Sequence, residues 1–600
     1  MAYVLEAIAT VVLLLLCRFG YSYVQNFANA RAIGLPMVFV PVDQVQLLWV
    51  LLAPLNREWL RRLLPAKFWE RVSLTIFGWE FHEKLRPFDR FVPGHGDQDG
   101  DGNQKMSRSY PLVGLRQTEL WTADPTTAQD VMARVRDFEV PHVMEYALGQ
   151  YGSNVLTTNG DKWARHRKIV TSVIDERILR EVFEESIRQT FGPLDEILLT
   201  GQGEPELNSK ETPFLFDWLK WVTIHVLLGT SMGAKVPWKS SGGAVESGYK
   251  MSHIESLNTL VVNTMGVAML PTKLLAGWPR WLPGHVKMTA VAYSKIEVHK
   301  RSKSILDQER ERQERGETST KPTIVSKIVR ASEDGKASGH SLSEGEMISN
   351  LFAITAAGFK TTATTLAYGV VLLARYPRWQ EWLLEEIDSL MVPANDLEPG
   401  MDYSAVFPRA TRALAFMFET LRLYSPVSHV HRETASPQTL QTSAGAIRVP
   451  AKTRIYVNSV ASHLLPSWRN RQSDPPFLQA EKEGMDRDEY AFRPSRWLNP
   501  PGSAQALYHQ PKGTWVPWAM GPRVCPGMKM AQVEFSAALL TLLRRHRIHA
   551  APMEGEGRSE TEARLDARLR DSRWVTVLQM NGVFEPKGHE GLHLKVSRRG

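Results

Sequence analysis

Outside an apolar N-terminal stretch that contains Cys17, this 600-residue chain has a single cysteine, Cys525. No disulfide framework, Cys-x-x-Cys zinc site or four-cysteine iron–sulfur cluster can be built on one thiol. The residue sits in WAMGPRVCPGM (Trp518–Met528), boxed by two prolines and two glycines, with Arg523 two places before it. A cysteine that only fills space behaves as a small hydrophobe and needs no such frame. The run after Gly527, MKMAQVEFSAALLTLLRRH, carries apolar residues at helical spacing, which places Cys525 just ahead of a helix N-terminus. Unsatisfied N–H groups and the helix dipole there favour a thiolate. Gly521 and Gly527 would let the chain turn tightly around it.

The formal net charge is +8, a balance that suits nucleic acid, an anionic membrane surface or an acidic protein partner. No dense Lys/Arg run interleaved with aromatics and no zinc-finger spacing is present, so no nucleic-acid partner is expected. The N-terminus points to a membrane. AYVLEAIATVVLLLLC (Ala2–Cys17) is apolar apart from Glu6, near the short end of what spans a bilayer. Nothing basic precedes it, whereas Arg18 and Arg31 follow, so the reading is an uncleaved transmembrane anchor over residues 1–24 with the bulk of the chain on the cytoplasmic side. A cleaved signal peptide, with Ala28–Ala30 as the cleavage site, is the rival. A second apolar patch, Gly34–Leu55, has three prolines and an aspartate. It reads either as an interfacial element with Trp49 as an anchor or as a packed hairpin, within a membrane-proximal segment over 25–70.

No repeat is visible. Three polar stretches read as exposed loops: Pro93–Gln104, Asp307–Pro322 continuing to about Glu346, and Met553–Arg573. Between them the pattern is mostly helical. Met347–Tyr376 predicts one long apolar helix stopped by Pro377, and Ala410–Tyr424 another closed by Ser425-Pro426. Strand-like runs follow in TLQTSAGAIRVP, KTRIYVNSVASH and RWVTVLQM. The expected fold class is mainly α with small β-sheets (α+β), with one catalytic domain over 71–600.

A lone thiolate held at a helix start suits a haem iron, where it pushes electron density toward O–O cleavage. Trp518–Gly527 resembles the haem loop of the cytochrome P-450 monooxygenases, F-x-x-G-x-R-x-C-x-G, with Trp518 in place of the usual phenylalanine. The resemblance extends to four further motifs. ETLR supplies Glu419 and Arg422, and FRPSRW supplies Arg496, as a buried ion-pair triad that locks the scaffold. WARHR supplies Trp163 and Arg167, which with Arg432 and Arg523 stand where the family holds haem propionates. AGFKTT (Ala357–Thr362) matches the distal motif [AG]-G-x-[DE]-T-[TS], in which an acid and a threonine relay protons. Gly358 and Thr361 match, but Lys360 replaces the acid. Either its side chain snorkels outward, or proton delivery through Thr361 and water runs with altered coupling. His429 and His431 read as packing or pocket lining rather than as a metal pair.

The resemblance covers nearly the whole chain and is closest to fungal microsomal members. It implies the cytochrome P-450 fold behind the anchor, haem b axially ligated by Cys525, and an endoplasmic-reticulum location facing the cytoplasm. It also implies a lipophilic substrate from secondary metabolism. The substrate would be held by Val140–Asn154, part of Met251–Leu270, Ala353–Thr361, Ser425–His431 and Gln579–Val583. No flavin or nicotinamide fingerprint is present, so electrons are expected from NADPH through a separate cytochrome reductase, with cytochrome b5 as a second donor. Arg165, Lys168, Lys512 and Lys529 are the expected docking cations. Two other functions stay open: an oxygen-independent haem-thiolate isomerase or dehydratase, and a non-catalytic haem-binding homologue.

Overall fold

The computed structural model describes residues 2–44, 46–54, 56–92, 108–199, 209–211, 215–233, 245–264, 267–317, 321–337, 339–390, 401–468, 488–584 and 592–599. The expected loop at 93–104 lies outside them. The chain divides into two compact units, one built from residues 1–141, 427–468 and 510–524, the other from 142–426, 469–509 and 525–600.

The first unit is organised by a six-stranded sheet in the order Val38–Phe39, Ser109–Val113, Thr118–Thr122, Arg454–Asn458, His429–Thr434, Phe138–Glu139. Its central strands are buried on both faces, so they read as runs of large residues rather than as an alternation. Trp121 stacks on Tyr456 across the parallel pair, with ring centroids 4.2 Å apart. Ile33, Leu120, Val131, Phe138 and Ile455 form a core with the hairpin residues Leu440 and Val449.

The N-terminal helix, α1 (Ala2–Ile33), runs straight through the boundary expected at residue 24. Its C-terminal part is docked on the sheet: Asn26 Nδ2 donates to Gly114 O at 3.0 Å, and Thr118 Oγ1 donates to Asn26 O at 2.9 Å. Among the described residues no helix is long and apolar enough to cross a membrane. Trp49 is half-buried, and its indole N–H donates to Thr75 O and Oγ1, both at 3.0 Å. Among the described residues that follow, Trp59 and Phe68 are exposed aromatics.

The second unit is helical, with two small sheets. Its axis is α4 (Glu344–Arg375), started by a capping box between Ser343 and Glu346 and stopped before Pro377. Buried side chains lie all around it, which marks a core helix. Around it pack α2 (Gly160–Val173), α3 (Leu215–Met232), α5 (Thr411–Leu423) and α6 (Met528–Arg545). A Cβ added at Gly369 would lie 3.3 Å from the Phe416 ring of α5 and 3.5 Å from the Phe535 ring of α6. The glycine therefore sets how closely the three helices approach.

Two of the expected loops are helical. Asp307–Glu314 is the end of the helix His285–Glu314, followed by a second helix, Ile324–Asp334. Arg310 reaches Glu344 at 2.8 Å, and Arg312 pairs with Glu309 at 3.1 Å. The polar run 553–573 contains the helix Arg558–Arg570, which buries only Thr561, Leu565 and Leu569. Two leucines were too thin an apolar stripe to outweigh nine polar neighbours in the sequence. RWVTVLQM forms a hairpin of Ser572–Trp574 with Leu578–Met580.

Candidate active site

Cys525 lies two residues before Gly527, the N-cap of α6. Its side chain is exposed, yet the protein around it is dense enough that burial raises the thiol pKa above its ordinary value. A hydrogen bond from the Gly527 backbone and the charge of Arg167 pull the other way. The thiolate expected from the helix dipole is thus not favoured by the protein groups alone; burial wins. Gly527 has an ordinary φ of −87°, so it is not needed for its backbone freedom. A Cβ there would sit 3.9 Å from Cys525 Sγ, and its absence keeps the sulfur's surroundings open.

Arg167 stands on α2 one turn after Trp163, which is buried. Burial lowers the Arg167 pKa, and Cys525 acts to raise it, which brings these two expected site residues together in one unit. Their helix is fixed to α4 through His166, whose ring contacts Asn350 Nδ2 at 2.8 Å and Glu346 Oε1 at 3.4 Å. Arg165 is committed to the same Glu346 at 2.5 Å, and Lys529 to Glu176. Of the docking cations expected on this unit, Lys168 is left exposed.

On α4, Thr361 donates its hydroxyl to Ala357 O at 2.8 Å and Gly358 O at 3.2 Å. Ala357 is exposed in the middle of an otherwise buried helix, so Thr361, one turn on, stands on the same accessible face. Gly358 serves packing: a Cβ there would meet the Leu227 methyls of α3 at 3.0 and 3.2 Å. Lys360 does not snorkel. It is buried, with its ammonium 4.7 Å from the centre of the Phe584 ring.

Sequence reasoning missed Glu534. It lies on α6, nine residues after the cysteine, 3% exposed. Burial pushes its pKa up to about 8, against a hydrogen bond with Thr362, so it is largely neutral at pH 7. The available signal was an acid set in the apolar run VEFSAALL.

Glu419, Arg422 and Arg496 meet in a fully buried cluster. Arg422 binds Glu419 through two nitrogens at 2.7 and 2.9 Å, and Arg496 Nε binds it at 2.9 Å. Trp497 Nε1 and the Arg493 backbone N–H complete the carboxylate at 2.9 and 2.7 Å.

In the first unit, the loop before the cysteine turns at Gly521 with φ +69°, where a Cβ would lie 2.5 Å from Met132 O. Only glycine fits there. Trp518 packs edge-to-face on Trp515, with centroids 5.3 Å apart. Arg523, in the same turn, is half-buried. His429 stacks flat on His431 at 4.2 Å and lies against the Glu80 carboxylate, which is packing within the sheet.

Arg432 is the informative residue of this unit. It is buried, Nη1 donates only to His431 O at 2.6 Å, and Nε has no partner. Burial lowers its pKa to about 10, and no carboxylate among the described residues pairs with it. A buried guanidinium of this kind is costly unless an anion reaches it, and a haem propionate is such an anion. Taken separately, the guanidinium of this unit suits a propionate and the accessible thiol of the other suits a haem iron. Arg432→Gln is expected to speed haem loss about 10- to 100-fold, the equivalent of one charge-assisted hydrogen bond, measured as transfer to apomyoglobin. An unchanged rate would remove Arg432 from the haem contacts.

The sequence matches the family model described as cytochrome P-450 over residues 115–469 and 488–566. It is 46% identical over 596 residues, 98% of each chain, to a protein of Leptosphaeria maculans described as a phomenoic acid biosynthesis cluster cytochrome P-450 monooxygenase. A cytochrome P-450 monooxygenase of Penicillium rubens is 25% identical over 552 residues, 87% of each chain. A crystal structure described as a cytochrome P-450 superposes with a TM-score of 0.58 at 15% identity, covering 82% of this chain and 95% of the other. That likeness is one of fold.

Proposed function

Since the chain belongs to the cytochrome P-450 family and is a haem-thiolate monooxygenase, we propose that Cys525 is its axial ligand and that it oxidises a lipophilic substrate in fungal secondary metabolism. The observation that carries the ligand assignment is the accessible Cys525 thiol, with the Gly527 N–H and Arg167 acting on it. Trp163, Arg167, Arg432 and Arg523 hold the haem, whose iron when bound supplies the oxidising chemistry. Thr361 presents a hydroxyl on the accessible face of α4 and holds the proton-delivery position. The L. maculans relative, named for a biosynthesis cluster, supports the metabolic assignment.

Electrons come from NADPH through a separate reductase, with cytochrome b5 as a second donor. With Arg165 and Lys529 already paired, its docking charges reduce to Lys168 and Lys512. The protein is attached to the endoplasmic-reticulum membrane through its N-terminal region, facing the cytoplasm. Exposed Leu13, Leu14, Tyr21 and Val24 on α1, and Trp59, Leu63 and Phe68 after it, support this attachment. Basic Arg61, Arg62 and Lys67 lie among the latter, a composition that suits an anionic interface.

The deciding experiment reconstitutes the full chain with a cytochrome reductase in lipid vesicles and screens lipophilic natural products. One oxygen atom from labelled O2 per NADPH consumed is the expected outcome. Product formed without NADPH or O2 would establish the isomerase or dehydratase reading in its place.

A further inference from the structure

Lys360 stands where the distal motif of the family carries an acid, and the structure gives it no ordinary reason to be charged there. Its side chain is 3% exposed. The Phe584 ring is its one recorded neighbour, and no carboxylate, carbonyl or hydroxyl among the described residues pairs with its ammonium. A ring face replaces only part of the hydration a buried ammonium gives up. The charges acting on Lys360 make matters worse, because they are also positive. Burial first, then Lys220 of α3 and Arg573 of the hairpin Ser572–Met580, push its pKa down to about 7. Lys220 has its own carboxylate, Asp217, at 3.3 Å, and Arg573 has the charge of Asp571. Two half-buried cations from two other elements thus act on a buried ammonium that has no anion among the described residues.

The hairpin that carries Arg573 is itself tied down on several sides. Tyr368 of α4 shares a 2.7 Å hydrogen bond with Ser572. Thr576 donates to Val261 O at 2.7 Å, at the end of the helix His253–Asn263. The Leu578 N–H donates to Pro426 O at 2.9 Å. Beside these ties, Gln579 is buried with its Oε1 unpartnered. Segments from four parts of the chain thus meet at the hairpin, and Val261, Pro426 and Gln579 fall within three of the five segments that the family resemblance assigns to the substrate.

We propose that Lys360 receives the carboxylate of the substrate, a lipophilic organic acid, with Lys220 and Arg573 supplying the surrounding positive potential. The proposal rests on the monooxygenase reading and narrows its substrate from lipophilic molecules in general to acids. A single unpaired ammonium suits a monoanionic carboxylate. A phosphate dianion would need several donors in direct contact, whereas the ammonium of Lys360 is a single point charge.

The test uses the full-length, haem-loaded protein with dodecanoate and methyl dodecanoate as probes, read by thermal stability and by the Soret shift on binding. Dodecanoate should bind wild type at least tenfold more tightly than its ester. Lys360→Met should abolish that preference while keeping the ester affinity and the carbon monoxide spectrum. Lys220→Gln should weaken the preference severalfold and keeps the test decisive if Lys360→Met does not fold. No preference for the acid in wild type would overturn the proposal, as would a preference that survives in Lys360→Met or is untouched in Lys220→Gln. Acetate stabilising the protein as strongly as dodecanoate would assign the cluster to a small free anion and overturn the substrate role. A wild-type protein without the red-shifted carbon monoxide band would instead sink the monooxygenase reading itself.

Discussion

Cys525→Ser is expected to abolish the red-shifted Soret band of the reduced carbon monoxide complex and to reduce monooxygenase turnover to background, while leaving the protein folded. Serine is close to isosteric, and the side chain is exposed, so packing loses little. What changes is acidity. Burial already outweighs both the Gly527 N–H and Arg167 for a thiol, keeping its pKa above the ordinary value. An alcohol, far weaker as an acid, cannot be deprotonated by the same two groups. On the proposed assignment the thiolate would have to be drawn out by a bound haem iron, with loss of a proton on binding, and serine would offer no equivalent. Reduced carbon monoxide spectra of both proteins, with circular dichroism as the folding control, decide the matter. A red-shifted band that persisted in the serine variant would unseat Cys525 as the ligand. Arg167→Gln should be milder, since that charge is only one of two groups opposing burial.

How much could be read in advance depended on whether a residue announces its role by its near neighbours. The turn at Gly521 and the helix after Gly527 are local, written in glycines, prolines and a 3.6-residue period, and the long core helix α4 was legible for the same reason. Lys360 was visible as a departure from pattern, but what surrounds it was not. Phe584, Lys220 and Arg573 lie more than a hundred residues away along the chain, and only the fold brings them to one place. Glu534 failed for a related reason: an acid in a helix is usually solvated, and only packing against α4 makes it neutral. The helices at 307–314 and 558–570 were missed because their stability comes from ion pairs and two or three buried contacts rather than from an apolar stripe. Charge-rich helices of this kind carry the composition of loops.

Glu419→Gln is expected to cost a large share of the folding stability, and a wholly apolar replacement of the triad considerably less. Burial alone would raise the Glu419 pKa, yet Arg422, Arg496 and the hydrogen bonds hold it at about 2, against an ordinary 4.5. That depression corresponds to about 3 kcal/mol at neutral pH, the same size as the roughly 3–5 kcal/mol lost when one partner of a buried pair is removed. Against a typical total of about 5–15 kcal/mol, the variant should yield little haem-loaded protein, and its urea midpoint should fall steeply. Because the folded pKa is depressed, the contribution is complete above pH 4.5 and is lost as the pH falls toward 2. Wild type should therefore show an acid limb in that window which Glu419→Gln lacks. The damage arises from stranding Arg422 and Arg496, both fully buried, not from losing a favourable pair, since desolvation consumes most of what the pair gains. Replacing all three with apolar residues of similar volume removes the stranded charges with the carboxylate. If that triple variant were as unstable as Glu419→Gln, the triad would be a net source of stability. If it recovers, the cluster serves to hold α5 and the turn Pro494–Trp497 in a single register, at little net gain in stability.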